Sequence, residues 1–301
     1  MYVKDILIIG AGPAGITAAI YAVRYGFTVS VFEGLSVGGQ IATTNEVENY
    51  PGIERIAGFE FSQKLYNQAK DMDAEFFTEN VIAVNFDEDI KTVTTDKNTY
   101  AGKTVIIATG AKRRKINCIG ESEFTGKGVS YCATCDGAFF KNKDVAIVGG
   151  GNTALEDALF LANICNKVYL IHRRDEFSAM KMLSNAVKNH KKIEILYNSN
   201  IDEIIGEKFV TSIRILQDGN EIVKDVSGVF VAIGTEPDNG IFSKYVTLNK
   251  TGYIVADESC ETSAKGIYAA GDCRTKQLRQ IVTATGDGAV AAFMAANYLN
   301  Y

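Results

Sequence analysis

The sequence predicts an α/β chain of two doubly wound, three-layer domains, the second inserted into the first. Three observations carry this. An apolar run at residues 5–9 leads into Gly10-Ala11-Gly12-Pro13-Ala14-Gly15 and then a helical pattern. Residues 144–174 repeat residues 5–35 at a constant offset of 139, with no gap. Residues 266–272, near the far end, form one more apolar run ending in Gly-Asp.

Residues 5–9 are apolar and β-branched, the pattern of a buried parallel strand. In the G-x-G-x-x-G that follows, Gly10 permits a tight turn, Gly12 lets backbone approach a pyrophosphate, and Gly15 lets helix pack on strand. The helix at 14–25 offers its N-terminus to phosphate charge. Residues 28–32 read as a second strand, and Glu33 at its end is placed for ribose hydroxyls. Strand, turn, helix, strand and acid in this order describe a Rossmann-like nucleotide-binding domain. Gly38-Gly39-Gln40 and Glu48-Asn49-Tyr50-Pro51-Gly52 read as ligand-facing loops. Residues 59–71 have the spacing of an amphipathic helix, and residues 74–107 alternate as a β-rich insertion. Residues 104–110 form a buried strand ending in small residues, where backbone can approach a cofactor.

In the repeat, Gly149, Gly151 and Ala154 stand where Gly10, Gly12 and Gly15 stood. Self-similarity of this length points to a second dinucleotide fold. The informative difference is at the acid: Glu33 maps onto His172, followed by Arg173 and Arg174. A basic cluster suits a 2′-phosphate through charge-assisted bonds. The first module therefore reads as FAD-type and the second as NADP-type. Residues 193–232 alternate in short β-like stretches, and residues 228–234 echo the strand before Gly110. The expected domains are 1–113 with 246–301, and 114–245. In the returning part, Asp272 is an acceptor for a flavin ribityl chain. Arg279-Gln280-Ile281 precedes an expected turn at Gly286-Asp287-Gly288 and a helix at 288–299.

Composition narrows the function class. The chain has 301 residues, 47% hydrophobic and 22% charged, enough for two cored soluble domains. A formal net charge of −5 disfavours nucleic acid and anionic membrane as partners. No apolar run approaches the roughly 18 residues of a bilayer span. The apolar start is short and runs into glycines, so a cytoplasmic chain is expected. Of six cysteines, only Cys132 and Cys135 are closely spaced. Zinc would want a second pair or histidines at ligand spacing, and the chain has two histidines, neither so placed. A redox pair is the better reading, with Asp136 beside it to give or take the proton.

Laid out in order, these segments resemble the low-molecular-weight thioredoxin reductases along nearly the whole chain. The matching stretches are residues 10–15, 38–40, 48–52, 108–110, 132–137, 149–154, 172–174 and 270–288. The resemblance implies an FAD domain made of both chain ends, an inserted NADPH domain and a homodimer. FAD would be held by Gly10, Gly12, Pro13, Ala14 and Gly15 of the turn, by Glu33, and by Gly39, Gln40 and Asn49 of the loops. Val81, Thr109 and Gly110 would join them, with Gly271, Asp272, Arg279, Gln280 and Ile281 from the returning segment. NADPH would be held by Gly149, Asn152, Thr153, Ala154, His172, Arg173, Arg174 and Gly234. The catalytic residues implied are Cys135, facing the flavin, Cys132, attacking thioredoxin, and Asp136 as acid–base partner. Electrons would pass from NADPH to FAD, to the Cys132–Cys135 disulfide and on to thioredoxin. Both the disulfide and the nicotinamide site belong to the inserted domain. Turnover is therefore expected to need rotation about the two crossings, near residues 110–117 and 234–246.

One position departs from the family pattern His-Arg-Arg-x-x-x-Arg: the last arginine is Ser178 here. Loss of a charge-assisted contact costs on the order of 1.5–3 kcal/mol, about 10- to 150-fold in affinity. A pyridine nucleotide-independent enzyme drawing on reduced ferredoxin is thus the alternative. Lys112-Arg113-Arg114-Lys115 would attract an acidic ferredoxin. A non-catalytic flavin redox sensor and an oxygen-reducing dithiol oxidase are further alternatives.

Overall fold

A computed structural model describes residues 2–44 and 46–300. The chain divides into two compact units. One runs to Lys112 and resumes at Glu236, and the other is Arg113–Thr235.

The first unit opens with β1 (Val3–Ile9), α1 (Pro13–Arg24) and β2 (Val29–Glu33). It continues through α2 (Gly58–Lys70), β3 (Glu75–Thr78), β4 (Val81–Asn85), β5 (Lys91–Thr95) and β6 (Thr99–Ile107). A short strand β7 (Lys112–Arg113) lies at the first crossing. The second unit holds β8 (Val129–Ser130), the one-turn helix α3 (Ala133–Asp136), β9 (Asp144–Val148), α4 (Asn152–Ile164) and β10 (Lys167–Ile171). After α5 (Lys181–Lys188) come β11 (Ile193–Leu196), β12 (Ser199–Gly206), β13 (Val210–Gln217), β14 (Asn220–Asp225) and β15 (Gly228–Val231). The second crossing is β16 (Thr235–Glu236), and the chain ends with β17 (Ile267–Ala269) and α6 (Ile281–Asn300).

In the first unit the strand order is β3-β2-β1-β6-β5-β4, with β17 also on β6. On the edge away from β1, the nine residues of β6 serve two neighbours. Its first half pairs antiparallel with β5, and Val105–Ile107 pairs parallel with β17. Strand β1 is central and buried on both faces, which is why its run is continuously apolar rather than alternating. Ile6 and Ile8 face a core shared with α1 and α6, while Leu7 and Ile9 face Phe32, Val105, Phe242 and Ile254. Small side chains line the α1–α6 contact, including Ala14, Ala18, Ala291 and Ala295. A Cβ on Gly288 would lie 2.2 Å from the Ala14 carbonyl oxygen, so only glycine permits this approach.

The second unit carries a parallel sheet, β11-β10-β9-β15-β8, and an antiparallel sheet, β12-β13-β14. Val145, Ile147, Leu170 and Phe230 pack on α4; Ala146, Val148, Tyr169 and Val229 pack toward Ile213 and Ile215 of the antiparallel sheet. Helix, parallel sheet and antiparallel sheet make the three expected layers. The β9–α4–β10 unit falls at the predicted offset from β1–α1–β2.

Two boundaries differ from expectation. The inserted unit ends at Thr235 rather than at 245. The reason is packing: Phe242 is fully buried in the first unit's core, and the Asn239 amide donates to the Gly252 and Cys273 carbonyls. The last helix starts at Ile281 rather than 288 and contains Gly286-Asp287-Gly288, which is not a turn. There Gly288 is a contact point on α1, and helix continues through it because packing outweighs its roughly 1 kcal/mol propensity penalty. No helix among the described residues is long and apolar enough to cross a membrane.

Candidate active site and nucleotide-binding turns

Cys132 and Cys135 are joined as a disulfide, with Cα atoms 5.3 Å apart. Both are half-buried. Strand β8 delivers them, and the one-turn helix α3 begins immediately after Cys132. The Asp136 amide donates to the Cys132 carbonyl at 3.1 Å, closing the turn. Ser130, at the end of β8 and only 6% exposed, organises the charged side. Its hydroxyl donates to the Asp136 carboxylate at 2.5 Å and accepts the Cys132 amide at 3.1 Å. Sequence reading did not single out Ser130. Its only signal there was a hydroxyl just ahead of the cysteine pair, whereas the structure makes it the group that orients the acid. Downstream, Gly137 lets the redox turn lie on α4: a Cβ there would meet Phe160 at 3.0 Å and Leu161 at 3.3 Å. Phe140 anchors the segment edge-on to Phe230.

In the first unit, Gly10 has φ +106°, and a Cβ on it would sit 2.4 Å from the Ala108 carbonyl oxygen. Pro13 opens α1, and no side chain caps that helix. Glu33 accepts the Ala11 amide at 3.0 Å and the Leu35 amide at 3.1 Å, tying the end of β2 to the glycine turn. The Gly38 amide donates to Ala11, and Gly39 faces Gly12. Gln40 donates to the Ala111 carbonyl beyond Thr109 and Gly110, and Thr109 bonds Asn239 at 3.3 Å. Asn49 donates to Gln280 at 3.0 Å, joining residues far apart in sequence. A Cβ on Gly271 would lie 2.9 Å from that of Ala14, so the turn with Asp272 lies against the start of α1. Arg279 stacks over Tyr253 at 4.3 Å, and Ile281 packs on the Ile41–Val47–Ile56–Phe61 cluster. Val81 stands apart from these, pairing with Thr95 on the sheet. The group fits a dinucleotide: open space lies before Gly12, and the buried Arg279 Nε has no hydrogen-bond partner.

The second turn has the same plan. A Cβ on Gly149 would meet the Ala154 side chain and the Ala232 carbonyl, both at 2.5 Å, while Gly151 faces open space. Asn152 and Thr153 are exposed at the start of α4, with Ala154 buried beneath. Gly234, φ +90°, lies between the end of β15 and the start of β16. His172, expected at the nucleotide phosphate, directly follows β10. It is 8% exposed, its Nε2 bonds the Glu176 carbonyl at 2.9 Å, and its ring lies against Gly150, Phe177 and Tyr197. It supports the turn from below. Arg173 and Arg174 are exposed. Ser178 bonds the Gly150 carbonyl through both its amide (2.9 Å) and its hydroxyl (3.1 Å), and Asn152 accepts the Met180 amide. The loop thus folds back on the turn without a third guanidinium. Of the basic run, Lys112 pairs with Asp238 and Arg113 stacks on Tyr131.

The family described as pyridine nucleotide-disulphide oxidoreductase matches residues 4–288. A thioredoxin reductase of Listeria innocua is 44% identical over 300 residues, covering 99% of this chain and 94% of the relative. Thioredoxin reductase structures from Streptococcus pyogenes (40% identity, 99% and 98% of the two chains) and Giardia duodenalis (38%, 100% of each) both superpose with TM-score 0.94. The chain belongs to the thioredoxin reductase family. It is an enzyme, a flavoprotein disulfide oxidoreductase by membership.

One further acid in this thioredoxin reductase family member was not foreseen. Asp157, on α4, has its carboxyl pushed up to about 6 by burial and, secondarily, by Glu156. An acid raised above its ordinary 3.8 binds its proton more tightly folded than unfolded. The folded state therefore loses stability as pH rises from about 4 to 6 and carries the full penalty above that. The penalty is about 3 kcal/mol for a shift of this size. Asp157→Asn is expected to stabilise the protein by that order at pH 7, with the gain vanishing near pH 4. Denaturant titrations of both proteins across this range check it, and a gain independent of pH would refute the burial argument.

Proposed function

We propose that the protein reduces thioredoxin with NADPH as electron donor. The observation that supports this most is the half-buried Cys132–Cys135 disulfide, with a Ser130-oriented carboxylate beside it, on the same unit as the second glycine turn. FAD, held by the first unit's turn and loops, supplies the two-electron carrier between nucleotide and disulfide. The chain's own residues do the rest. In the dithiol form the Cys132 thiolate attacks one sulfur of the substrate disulfide, and the other leaves as a thiolate that takes a proton. Cys135 then attacks Cys132 Sγ, re-forming the internal disulfide and expelling the second substrate thiolate. Asp136 is positioned to hand on these protons. Arg173 and Arg174 give the second turn its preference for a 2′-phosphate. Rotation about the two crossings and assembly as a homodimer belong to the same proposal.

Ferredoxin as donor is the second reading, favoured by Ser178 and by the inward-facing His172. Anaerobic mixing with NADPH, NADH and reduced ferredoxin, followed by flavin absorbance, separates the two. NADPH is expected to bleach the flavin and ferredoxin to leave it oxidised; the converse would transfer the assignment. Ser178→Arg should tighten NADPH by about 10- to 100-fold in titration, because the backbone amide still anchors the loop to Gly150.

A further inference from the structure

Among the described residues, the most heavily bonded buried charge is not in the redox turn. Asp287 sits on α6 and is 9% exposed. One carboxylate oxygen accepts the Gly271 amide (2.9 Å), Arg274 Nε (2.9 Å) and Lys276 Nζ (2.8 Å), and the other accepts Arg274 Nη2 at 3.0 Å. Arg274 is itself 5% exposed, and the Lys276 side chain 7%. Burial opposes ionisation of Asp287, but the Arg274 and Lys276 bonds win and hold its carboxyl below the ordinary range. Within the cluster two cations face one anion. Asp272, partly buried beside Gly271, brings a further carboxylate to the turn, while Glu258 and Asp257 are solvent-exposed and screened.

The location gives the cluster its meaning. Asp287 holds the amide of Gly271, and Gly271 lies on Ala14 at the start of α1. Gly288, the next residue, lies on the Ala14 carbonyl. The charges therefore stand directly behind the two backbone segments proposed to receive FAD. A bidentate guanidinium–carboxylate pair is rigid, and a buried charge is weakly screened.

We propose that Asp287 is a positioning residue for the cofactor turn, and that its charge and those of Arg274 and Lys276 tune the bound flavin in opposite directions, the anion disfavouring and the cations favouring the more negative, reduced form. This rests on the FAD reading. Asp287 shapes the turn before the cofactor arrives, and the two cations beside it offset the cost its charge would impose on acceptance of electrons.

The test is the two-electron midpoint potential of the bound flavin in wild type, Asp287→Asn and Lys276→Gln. Removing the anion is expected to raise the potential, and removing a cation to lower it. Each change should alter the reduced-to-oxidised ratio about tenfold, or about 30 mV. Opposite signs are the signature, since mere loosening of the turn would move both variants the same way. Shifts of one sign, or none, would overturn the inference. Should Asp287→Asn fail to fold, an unchanged or raised potential in Lys276→Gln overturns it alone, and a lowered one supports it. Failure of wild-type protein to bind FAD at all would instead reject the functional reading.

Discussion

Cys135→Ser should abolish thioredoxin reduction, by on the order of 10³-fold or more, and trap the substrate. The remaining Cys132 thiolate can still attack a substrate disulfide, but nothing is left to attack Cys132 Sγ in turn. A mixed disulfide with thioredoxin therefore accumulates and is visible as a band lost on reduction. Cys132→Ser should lose activity to the same degree without forming that adduct. In neither variant is the nucleotide side altered, so bleaching of flavin absorbance by NADPH should persist. Accumulation of the adduct on Cys132→Ser instead would reverse the two roles. Retained turnover in both variants would remove the disulfide from the mechanism.

Asp136→Asn should lower kcat by about 10²-fold, the lower end of what a positioned proton-transfer group contributes. Asparagine keeps the size and can still accept from Ser130, so the turn should hold and FAD content should stay unchanged. Ser130→Ala leaves the carboxylate but removes its orienting hydroxyl. One such bond to a charged group is worth about 1.5 kcal/mol, so a loss of roughly tenfold is expected. Stopped-flow separation of the nucleotide and disulfide half-reactions places the defect: both variants should slow only the disulfide half. An Asp136→Asn variant with unimpaired disulfide exchange would leave that carboxylate a turn-closing group.

The sheet strands and glycine turns were legible because their signals are local. A continuous apolar run followed by G-x-G-x-x-G has few other uses, and its repetition at a fixed offset announced the second fold directly. The redox pair was legible for the same reason, being two thiols and an acid within five residues. The C-terminal helix was misread because glycine at 286 and 288 is a breaker by propensity. What overrode it was contact with Ala14, almost the full length of the chain away. His172 was read as a phosphate ligand from its alignment with Glu33. Its burial beneath Gly150 depends on a loop that folds back, which spacing does not encode.

By itself, then, the sequence determined the fold class, the two nucleotide turns and the cysteine pair, since each depends on side chains within a few residues of one another. Tertiary structure alone decided which groups serve them. Ser130 reaches Asp136 only because β8 and α3 bring them together, and Asp287 reaches Gly271, Arg274 and Lys276 only when α6 packs on α1. The domain edge at Thr235 was settled by where Asn239 and Phe242 find partners. Hydrogen bonds and buried charges are selected by geometry across the chain, and that geometry exists only once the apolar layers have closed.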